Sequence, residues 1–232
     1  TTIVLARAAH QRGHEVFMIE LLDLGAGTDG HITADAVTVP RRPFADNATF
    51  LRAIRSPDAA RARVSSADLD VLWLRYNPSD CPLDEIWAVR AGYVFGQLAM
   101  WCGVLVLDHP VNLAFAESKL YLQQFPADLR PRTLVTRSAD EVRRFYRECG
   151  ERIVLKPDDG SGGVDVFVVD RDETNLGAMV DSLRRRGYLV IQEYLPAVAE
   201  GDIRLFMMNG APLMAGGRYA AIRRVSSGPD FR

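Results

Sequence analysis

The alternation of helical segments with short apolar strands over residues 1 to 110 limits the fold more than any other feature. Hydrophobic periodicity in this part predicts helices and strands in turn, with a polar meander over 31–44. The predicted helices cover 1–12, 47–62 and 84–101, and the predicted strands 15–22, 69–75 and 103–107. Short apolar strands between helices are typical of a parallel sheet covered on both faces. We therefore predict an N-terminal doubly wound, Rossmann-like α/β domain over residues 1–110.

Arg75 lies at the carboxyl end of the second of these predicted strands, in "LRYNPSD". Ligands of open α/β sheets bind at the carboxyl ends of the strands, so Arg75 is a candidate for binding a substrate carboxylate. A lone arginine at a strand end is also commonly a surface ion pair, and this alternative stays open.

The pattern changes near residue 110, where hairpins begin to alternate with helices. A helix is predicted in "NLAFAESKLYLQQF", and a second is capped at Ser138 with Glu141 three residues on, as in a capping box. Asn209-Gly210 predicts a two-residue hairpin turn. Antiparallel hairpins with helices indicate an α+β fold, so a second domain begins near 110. We divide it into 111–190 and 191–232.

The stretch "IVLKPDDGSGGVDVFVV", residues 153–169, contains a lysine and then a glycine cluster. A phosphate-binding P-loop has the reverse order and leads into a helix. Here Lys156 lies in a strand and a β-branched run resumes after the glycines, so the stretch predicts a hairpin with a flexible tip. A plain surface hairpin with a glycine-rich turn is the alternative interpretation.

Composition excludes several classes of protein. The formal net charge of -2 provides no basic field for nucleic acid or an anionic membrane. No apolar stretch approaches the roughly 18 residues of a membrane span. The three cysteines and four histidines match neither a disulfide framework nor a zinc site, so we predict reduced thiols in a cytoplasmic protein. The chain begins with a predicted helix, where an α/β domain normally begins with a strand, and no predicted secondary-structure element ends it. We therefore expect both ends of the gene product to be absent from this sequence.

Four stretches together resemble the ATP-grasp superfamily, most closely the prokaryotic glutathione synthetases and the related ribosomal-protein glutamate ligases. They are "NLAFAESKLY", "PRTLVTR", "IVLKPDDGSGGVDVF" and "VIQEYLPAVAEGDIRLFMMNGAPL". The resemblance covers nearly the whole chain and is strongest after about residue 105. It implies an ATP-grasp fold, incomplete at the C-terminus, in the second half of the chain.

The resemblance also implies an ATP site. Lys119 and Lys156 would bind the phosphates, and the glycine-rich lid would cover them with backbone N–H groups. The adenine would lie against the end of a strand, and Asp202 would lie near the ribose. The lid residues are Gly160, Ser161, Gly162 and Gly163, and the adenine segment is Gln192, Glu193, Tyr194 and Leu195.

Reactions in the family form an acyl phosphate from ATP and a carboxylate, and an amine then displaces the phosphate. Preorganised arginines suit the negative charge that develops on oxygen. Arg204, Arg224 and Arg232 match the family's arginines in this role, and Arg223 is an alternative to Arg224 by one register step. Arg218 is a weaker candidate. The substrates would be a small-molecule or peptide carboxylate and an amine, and the assembly a homo-oligomer.

Mg²⁺ bridges the phosphates in such reactions, and the family's metal ligands fall beyond the end of this sequence. The metal ligands are therefore unknown, and we expect no turnover without them. "DHP" at 108–110 and Asn77 depart from the family pattern in the substrate-facing domain, so the acyl donor need not be that of glutathione synthesis. The leading hypothesis is an ATP-dependent, ADP-forming carbon–nitrogen ligase. The alternative is a non-catalytic ATP-binding relative with a regulatory or scaffolding role.

Overall fold

The chain divides into two compact units, Thr1–Phe115 and Ala116–Arg232. The computed structural model describes residues 1–77, 86–158, 163–171 and 173–225. Both units mix helices with sheets, as the sequence predicts.

The first unit contains four α-helices, two short 3₁₀ helices (Leu21–Asp23 and Ser66–Asp68) and six strands within the described residues. The helices are α1 (Thr2–Gln11), α2 (Asn47–Ile54), α3 (Ile86–Trp101) and α4 (Pro110–Glu117), the last ending in the second unit. The strands are β1 (Phe17–Met18), β2 (Leu24–Ala26), β3 (Ile32–Thr38), β4 (Arg61–Ser65), β5 (Val71–Trp73) and β6 (Leu105–Leu107).

Strand β3, the centre of a four-stranded antiparallel sheet, lies in the region where the sequence predicted a meander. Strand β3 pairs with β1, β2 and β4, all antiparallel. Its residues alternate between buried and half-buried from Ile32 to Val37, with Ile32, Ala34 and Ala36 inside. This is the period of a half-buried strand, and the small alanines with Asp35 between them made it look polar. The meander prediction was wrong here.

Helix α2 ends at Ile54 rather than near 62. Asp46 caps its start, since the Asp46 side chain accepts a hydrogen bond from the Thr49 amide at 2.7 Å. Pro57 disfavours helical backbone at the residue before it, which stops the helix early. The chain then enters β4.

The predicted parallel pairing is confirmed for β5 and β6, joined in sequence through α3. Val71 pairs with Leu105 and Trp73 with Leu107. Helix α3 and these strands share a core that includes Leu74, Ala99 and Val106. The first unit therefore combines one parallel pair with a separate antiparallel sheet, and the second feature was not predicted.

The second unit is built on a four-stranded antiparallel sheet with the order β7–β10–β8–β9. These strands are β7 (Thr133–Thr136), β8 (Ile153–Pro157), β9 (Phe167–Val169) and β10 (Leu189–Glu193). Helices α5 (Ala139–Glu148) and α6 (Leu176–Leu183) pack on one face of the sheet. The hairpin predicted over 153–169 is confirmed, because β8 and β9 pair antiparallel.

The start of α5 differs in detail from a capping box. Ser138 accepts from the Glu141 amide at 3.4 Å, as predicted. The Glu141 carboxylate, however, accepts from the Thr136 hydroxyl, and Thr136 in turn accepts from the Ser138 amide at 3.0 Å. The Thr136 hydroxyl thus links the Ser138 amide to the Glu141 carboxylate, which would bond directly to each other in a capping box.

Residues 196–225 form a short 3₁₀ helix (Pro196–Glu200) and exposed strand pairs. The strands are β11 (Asp202–Leu205), β12 (Met207–Met208), β13 (Ala211–Pro212), β14 (Met214–Ala215), β15 (Arg218–Tyr219) and β16 (Ala221–Arg224). The turn between β12 and β13 has Asn209 at φ 50° and Gly210 at φ 76°, so the predicted two-residue turn is confirmed. No helix in the described part of the chain has the length and apolar character needed to cross a membrane.

Candidate functional site

Lys119 and Lys156 are the only lysines among the chain's 28 basic Lys and Arg residues. Lys156 lies on β8, where Ile153 and Leu155 pack into the core beneath the helices. Successive side chains on a strand point to opposite faces, so Lys156 belongs to the face away from that core. All of the other residues in that count are arginines. The presence of both lysines in the second unit is therefore unusual for this chain.

The Lys156 ammonium is in an unfavourable electrostatic position. Its pKa is lowered, first by burial and second by the positive charge of Lys119. No described residue forms an ion pair or hydrogen bond with the Lys156 side chain. Burial without a counter-charge and a neighbouring like charge both disfavour the protonated form. A bound anion would offset both the burial of the Lys156 ammonium and its repulsion by Lys119.

Lys119 is held beside the end of β8 by Asp158. The Lys119 ammonium donates to the backbone carbonyl of Asp158 at 2.9 Å, and the Lys119 amide donates to the same oxygen at 3.3 Å. Lys119 begins a 3₁₀ helix (Lys119–Gln124) whose N-cap is Ser118. The two lysines are therefore brought close together from segments far apart in sequence.

Ser118 and Asp158 join these segments through their side chains. The Ser118 hydroxyl lies 2.9 and 2.8 Å from the two carboxylate oxygens of Asp158. The Leu120 amide donates to both side chains, at 3.1 Å to Ser118 and 3.3 Å to Asp158. Sequence reasoning missed this pair. The preference of serine for N-caps could have indicated Ser118, but no local signal indicates a partner 40 residues away.

The predicted adenine segment begins inside the sheet. Gln192 is buried, and its side-chain amide donates to the Thr133 hydroxyl at 2.9 Å. The Glu193 carboxylate accepts from the Arg132 amide at 2.8 Å, while the Glu193 amide donates to the Arg132 carbonyl at 3.1 Å. The side chains of both residues thus tie β10 to the segment around the start of β7. Any contact they make with a base would use the remaining backbone groups.

Tyr194 is covered on one side by Arg152. The Arg152 guanidinium carbon lies 3.9 Å from the centre of the Tyr194 ring, and Arg152 Nε forms an ion pair with Asp170 at 2.6 Å. This arrangement fixes the ring at the end of the strand. Leu195, the next residue, is about half exposed.

A second cluster of charged residues lies on the β11–β16 pair. Arg224 Nε donates to Asp202 at 2.8 Å, and Arg224 Nη2 donates to the other carboxylate oxygen. This fork lowers the Asp202 pKa, with a smaller contribution from the nearby charge of Arg204. Asp202 and Arg224 are also direct cross-strand partners. The two were predicted in separate roles, and the structure pairs them with each other.

Arg223, the alternative to Arg224, lies on the other face of β16. Its guanidinium donates to the Glu200 carbonyl at 3.2 and 2.6 Å. Alternation along the strand therefore places Arg224, and not Arg223, with Asp202 and Arg204. Arg218 lies on β15, in a different strand pair.

Four predicted site residues, Gly160, Ser161, Gly162 and Arg232, lie outside the described residues. Gly163 is described and has φ 78°, a conformation that glycine adopts without strain. Arg75 lies in the first unit, just after β5, with its guanidinium 5.7 Å from the centre of the Trp73 ring.

Metal ligation finds no support among the residues that the structure describes. Within them, no group of three or more His, Cys, Asp or Glu side chains could hold a metal ion. Cys102 and Cys149 are free thiols, and burial raises the pKa of Cys149. The described residues therefore supply cations for an anionic ligand and no evident metal centre.

Two family models match consecutive parts of the chain. "Prokaryotic glutathione synthetase, N-terminal domain" matches residues 1–113, and "Prokaryotic glutathione synthetase, ATP-grasp domain" matches residues 118–232. Together they cover nearly all of the sequence. The gap between them includes the division of the chain into its two units.

Curated relatives agree. Glutathione synthetase from Yersinia pestis is 33% identical over 216 residues, which is 92% of this chain and 63% of that protein. The same enzyme from Pseudomonas syringae pv. tomato is 34% identical over 217 residues, with the same two coverages. The chain thus spans just under two thirds of the length of these relatives.

Among solved structures, a RimK domain ATP-grasp protein from Sphaerobacter thermophilus matches with a TM-score of 0.49 and 19% identity. The match covers 88% of this chain and 62% of that one. Likeness at this level carries no weight for function. The two family models and the curated relatives are sufficient by themselves: the chain belongs to the glutathione synthetase-like group of the ATP-grasp superfamily.

Proposed function

We propose that the protein is an ATP-dependent carboxylate–amine ligase that forms an amide bond through an acyl phosphate. The observation that carries the proposal is the meeting of Lys119 and Lys156 at the end of β8. A half-buried ammonium next to a second cation is costly unless an anion binds there. The triphosphate of ATP supplies several negative charges within the reach of two such groups.

In the reaction, a carboxylate oxygen of the first substrate attacks the γ-phosphorus of ATP, and ADP leaves. The amine of the second substrate then attacks the acyl carbon, and phosphate leaves. Both steps develop negative charge on oxygen. Fixed cations stabilise that charge, because they are already oriented when the reaction begins.

We assign Lys119 and Lys156 to the phosphates, and Gly160, Ser161, Gly162 and Gly163 to a backbone cover over them. Gln192, Glu193, Tyr194 and Leu195 form the adenine segment. Backbone groups at the end of β10 are the proposed contacts, since the Gln192 and Glu193 side chains bind β7 and the segment before it.

Asp202 is assigned to the ribose side of the nucleotide, and Arg204, Arg224 and Arg232 to the transferring phosphoryl group and the carboxylates. Asp202 also orients Arg224. Arg224 uses Nε and Nη2 on Asp202, and an arginine has further N–H donors for a substrate oxygen. Arg75 is a candidate for binding the substrate carboxylate. The acyl donor would be a γ-glutamyl dipeptide or another peptide carboxylate.

Mg²⁺ belongs to the proposal through the family alone. It would accompany ATP and neutralise charge between the β- and γ-phosphates. The described residues include no candidate metal centre, so no step is assigned to a metal held by them. A cytoplasmic location and a homo-oligomeric assembly also stay predictions.

Reductive methylation of amines tests the phosphate site directly. Formaldehyde with cyanoborohydride modifies amines, and this chain offers only Lys119, Lys156 and the N-terminal amine. We expect ATP to protect both lysines from dimethylation, measured by peptide mass spectrometry. The α-amino group of the expressed protein serves as the internal control and should react at the same rate with and without ATP. Equal modification of both lysines with and without ATP would refute the phosphate assignment.

Turnover is tested separately in the full-length gene product with Mg²⁺, ATP and pairs of candidate carboxylates and amines. ADP release and product mass are the measurements, and hydroxylamine in place of the amine should trap the acyl phosphate as a hydroxamate. ATP protection of the lysines without ADP release from any pair would favour the alternative, a non-catalytic ATP-binding relative.

A further inference from the structure

Asp158 joins three parts of the second unit. Its amide donates to the Tyr188 carbonyl at 3.2 Å, which continues the pairing of β8 with β10. Its carbonyl accepts from both the amide and the ammonium of Lys119. Its carboxylate accepts from the Ser118 hydroxyl and the Leu120 amide. One residue therefore connects the strand that carries Lys156 to the segment that carries Lys119.

The Ser118 hydroxyl acts both as a donor and as an acceptor of hydrogen bonds in this contact. The hydroxyl donates its single proton to the carboxylate and accepts from the Leu120 amide. Hydrogen bonds to an ionised carboxylate are stronger than neutral ones. Both residues are only partly exposed, so water competes less well for these groups than at a fully exposed surface.

The contact between Ser118 and Asp158 opposes the electrostatic repulsion between Lys119 and Lys156. The charge of Lys119 lowers the pKa of Lys156, so the two ammonium groups repel each other in the folded protein. This repulsion opposes the placement of Lys119 and its 3₁₀ segment against β8. The attachment by Ser118 and Asp158 holds the segment against that repulsion.

We propose that Ser118 and Asp158 are positioning residues, which hold Lys119 against the end of β8 so that both lysines face the same phosphates before the nucleotide binds. The inference rests on the proposed function, because it assumes that the two lysines bind the phosphates of ATP. It extends that function to two residues that would act through Lys119 and not through contact with the nucleotide. Preorganised cations avoid the entropy cost of ordering a lysine at the moment of binding.

The test measures the binding of ATP, ADP and adenosine by calorimetry to the full chain and to Ser118→Ala and Asp158→Ala variants. Loss of a charge-assisted attachment predicts about tenfold weaker ATP binding in either variant. Adenosine, which has no phosphates, should bind equally well to all three proteins. Asp140→Ala is the matched control, since Asp140 is an exposed carboxylate in the same unit. It should leave ATP affinity unchanged.

A background that lacks Lys119 separates positioning from general loss of structure. In Lys119→Met protein, adding Ser118→Ala should weaken ATP binding no further, because the residue to be positioned is already absent. Ser118→Thr keeps the hydroxyl and should restore ATP affinity to near the wild-type value. Thermal unfolding of each variant shows whether the protein is folded at the assay temperature.

The outcomes distinguish the two proposals. If the wild-type chain does not bind ATP, the proposed function fails. If it binds ATP and the Ser118→Ala and Asp158→Ala variants bind it equally well, the positioning role is wrong. The role is also wrong if Ser118→Ala weakens ATP binding by the same factor with and without Lys119, or weakens adenosine binding as much as ATP binding.

Discussion

Replacing Lys156 with methionine is expected to change folding stability and ATP affinity in opposite directions. Methionine keeps an unbranched stem of similar length and removes the charge. In the folded protein, burial and the charge of Lys119 both disfavour the Lys156 ammonium, as its lowered pKa records. The unfolded chain has neither penalty. The variant should therefore be more stable than the wild type in the absence of ligand.

The expected gain is about 0.5–2 kcal/mol, the usual range for a substitution that relieves one local conflict. For a chain of this size it corresponds to an increase in Tm of roughly 1–8 °C. Loss of a charged hydrogen-bonding partner of the phosphates should weaken ATP binding by about 1.5–3 kcal/mol, or roughly 10- to 150-fold.

The stability difference between the wild type and the Lys156→Met variant should depend on pH with a definite sign. A lysine whose pKa is lower in the folded state costs stability while it is protonated in both states. That cost disappears as the pH rises through the folded pKa towards the ordinary value of 10.5. The wild type should thus gain stability relative to the methionine variant as the pH rises through this range.

Thermal unfolding by circular dichroism, with and without ATP, measures both effects. Arg147→Met is the matched control, because it removes one exposed cation from the last turn of α5 in the same unit. It should leave ATP affinity unchanged and not raise the Tm. A Lys156→Met protein that is less stable than the wild type and binds ATP as tightly would refute the reasoning.

Three further predictions concern the edges of the site. In Gly201→Ala, the new Cβ would lie 2.1 Å from the Arg224 carbonyl at a φ of 92°, so amides of β11 and β16 should lose protection from hydrogen exchange. Gly210→Ala, where φ is also positive but nothing lies within 4 Å, should leave those amides protected, and equal loss in both variants would contradict the steric argument. The Asp202 carboxyl should titrate by NMR below 3.8 and return to the ordinary range in Arg224→Gln; an unchanged midpoint would mean that the fork is absent in solution. Arg152→Ala should free the Tyr194 ring and weaken ADP binding by roughly two- to fivefold, which is the value of an exposed cation–π contact. An altered near-ultraviolet tyrosine signal with unchanged ADP affinity would show that the ring does not contribute to nucleotide binding.

Local chemistry explains why several elements were predictable from the sequence. The β8–β9 hairpin follows from two β-branched runs around a glycine cluster, and the β12–β13 turn follows from Asn209-Gly210. Ser138 caps α5 because its hydroxyl reaches an amide three residues on, within the same turn. Each of these signals is complete within a few residues, so no tertiary information is needed to read it.

Strand β3 shows where that reading fails. Its buried residues are mostly alanines, too small to give a strong hydrophobic signal, and Asp35 interrupts them. Burial of Ala34 and Ala36 depends on β2 and β4 pairing on either side, which is decided by tertiary structure. Intrinsic strand preference is weak compared with such pairing.

For the candidate site, the order of residues along the chain already shows which residue types are present: two lysines, a glycine cluster and a set of arginines. The tertiary structure decided which of them meet. It placed Asp158 with Ser118 across 40 residues and Arg224 with Asp202 across 22, and it lowered the pKa of Lys156 by burial. The physical reason is range: periodicity, caps and turns act between neighbours in the chain, whereas charge, burial and strand register act between neighbours in space.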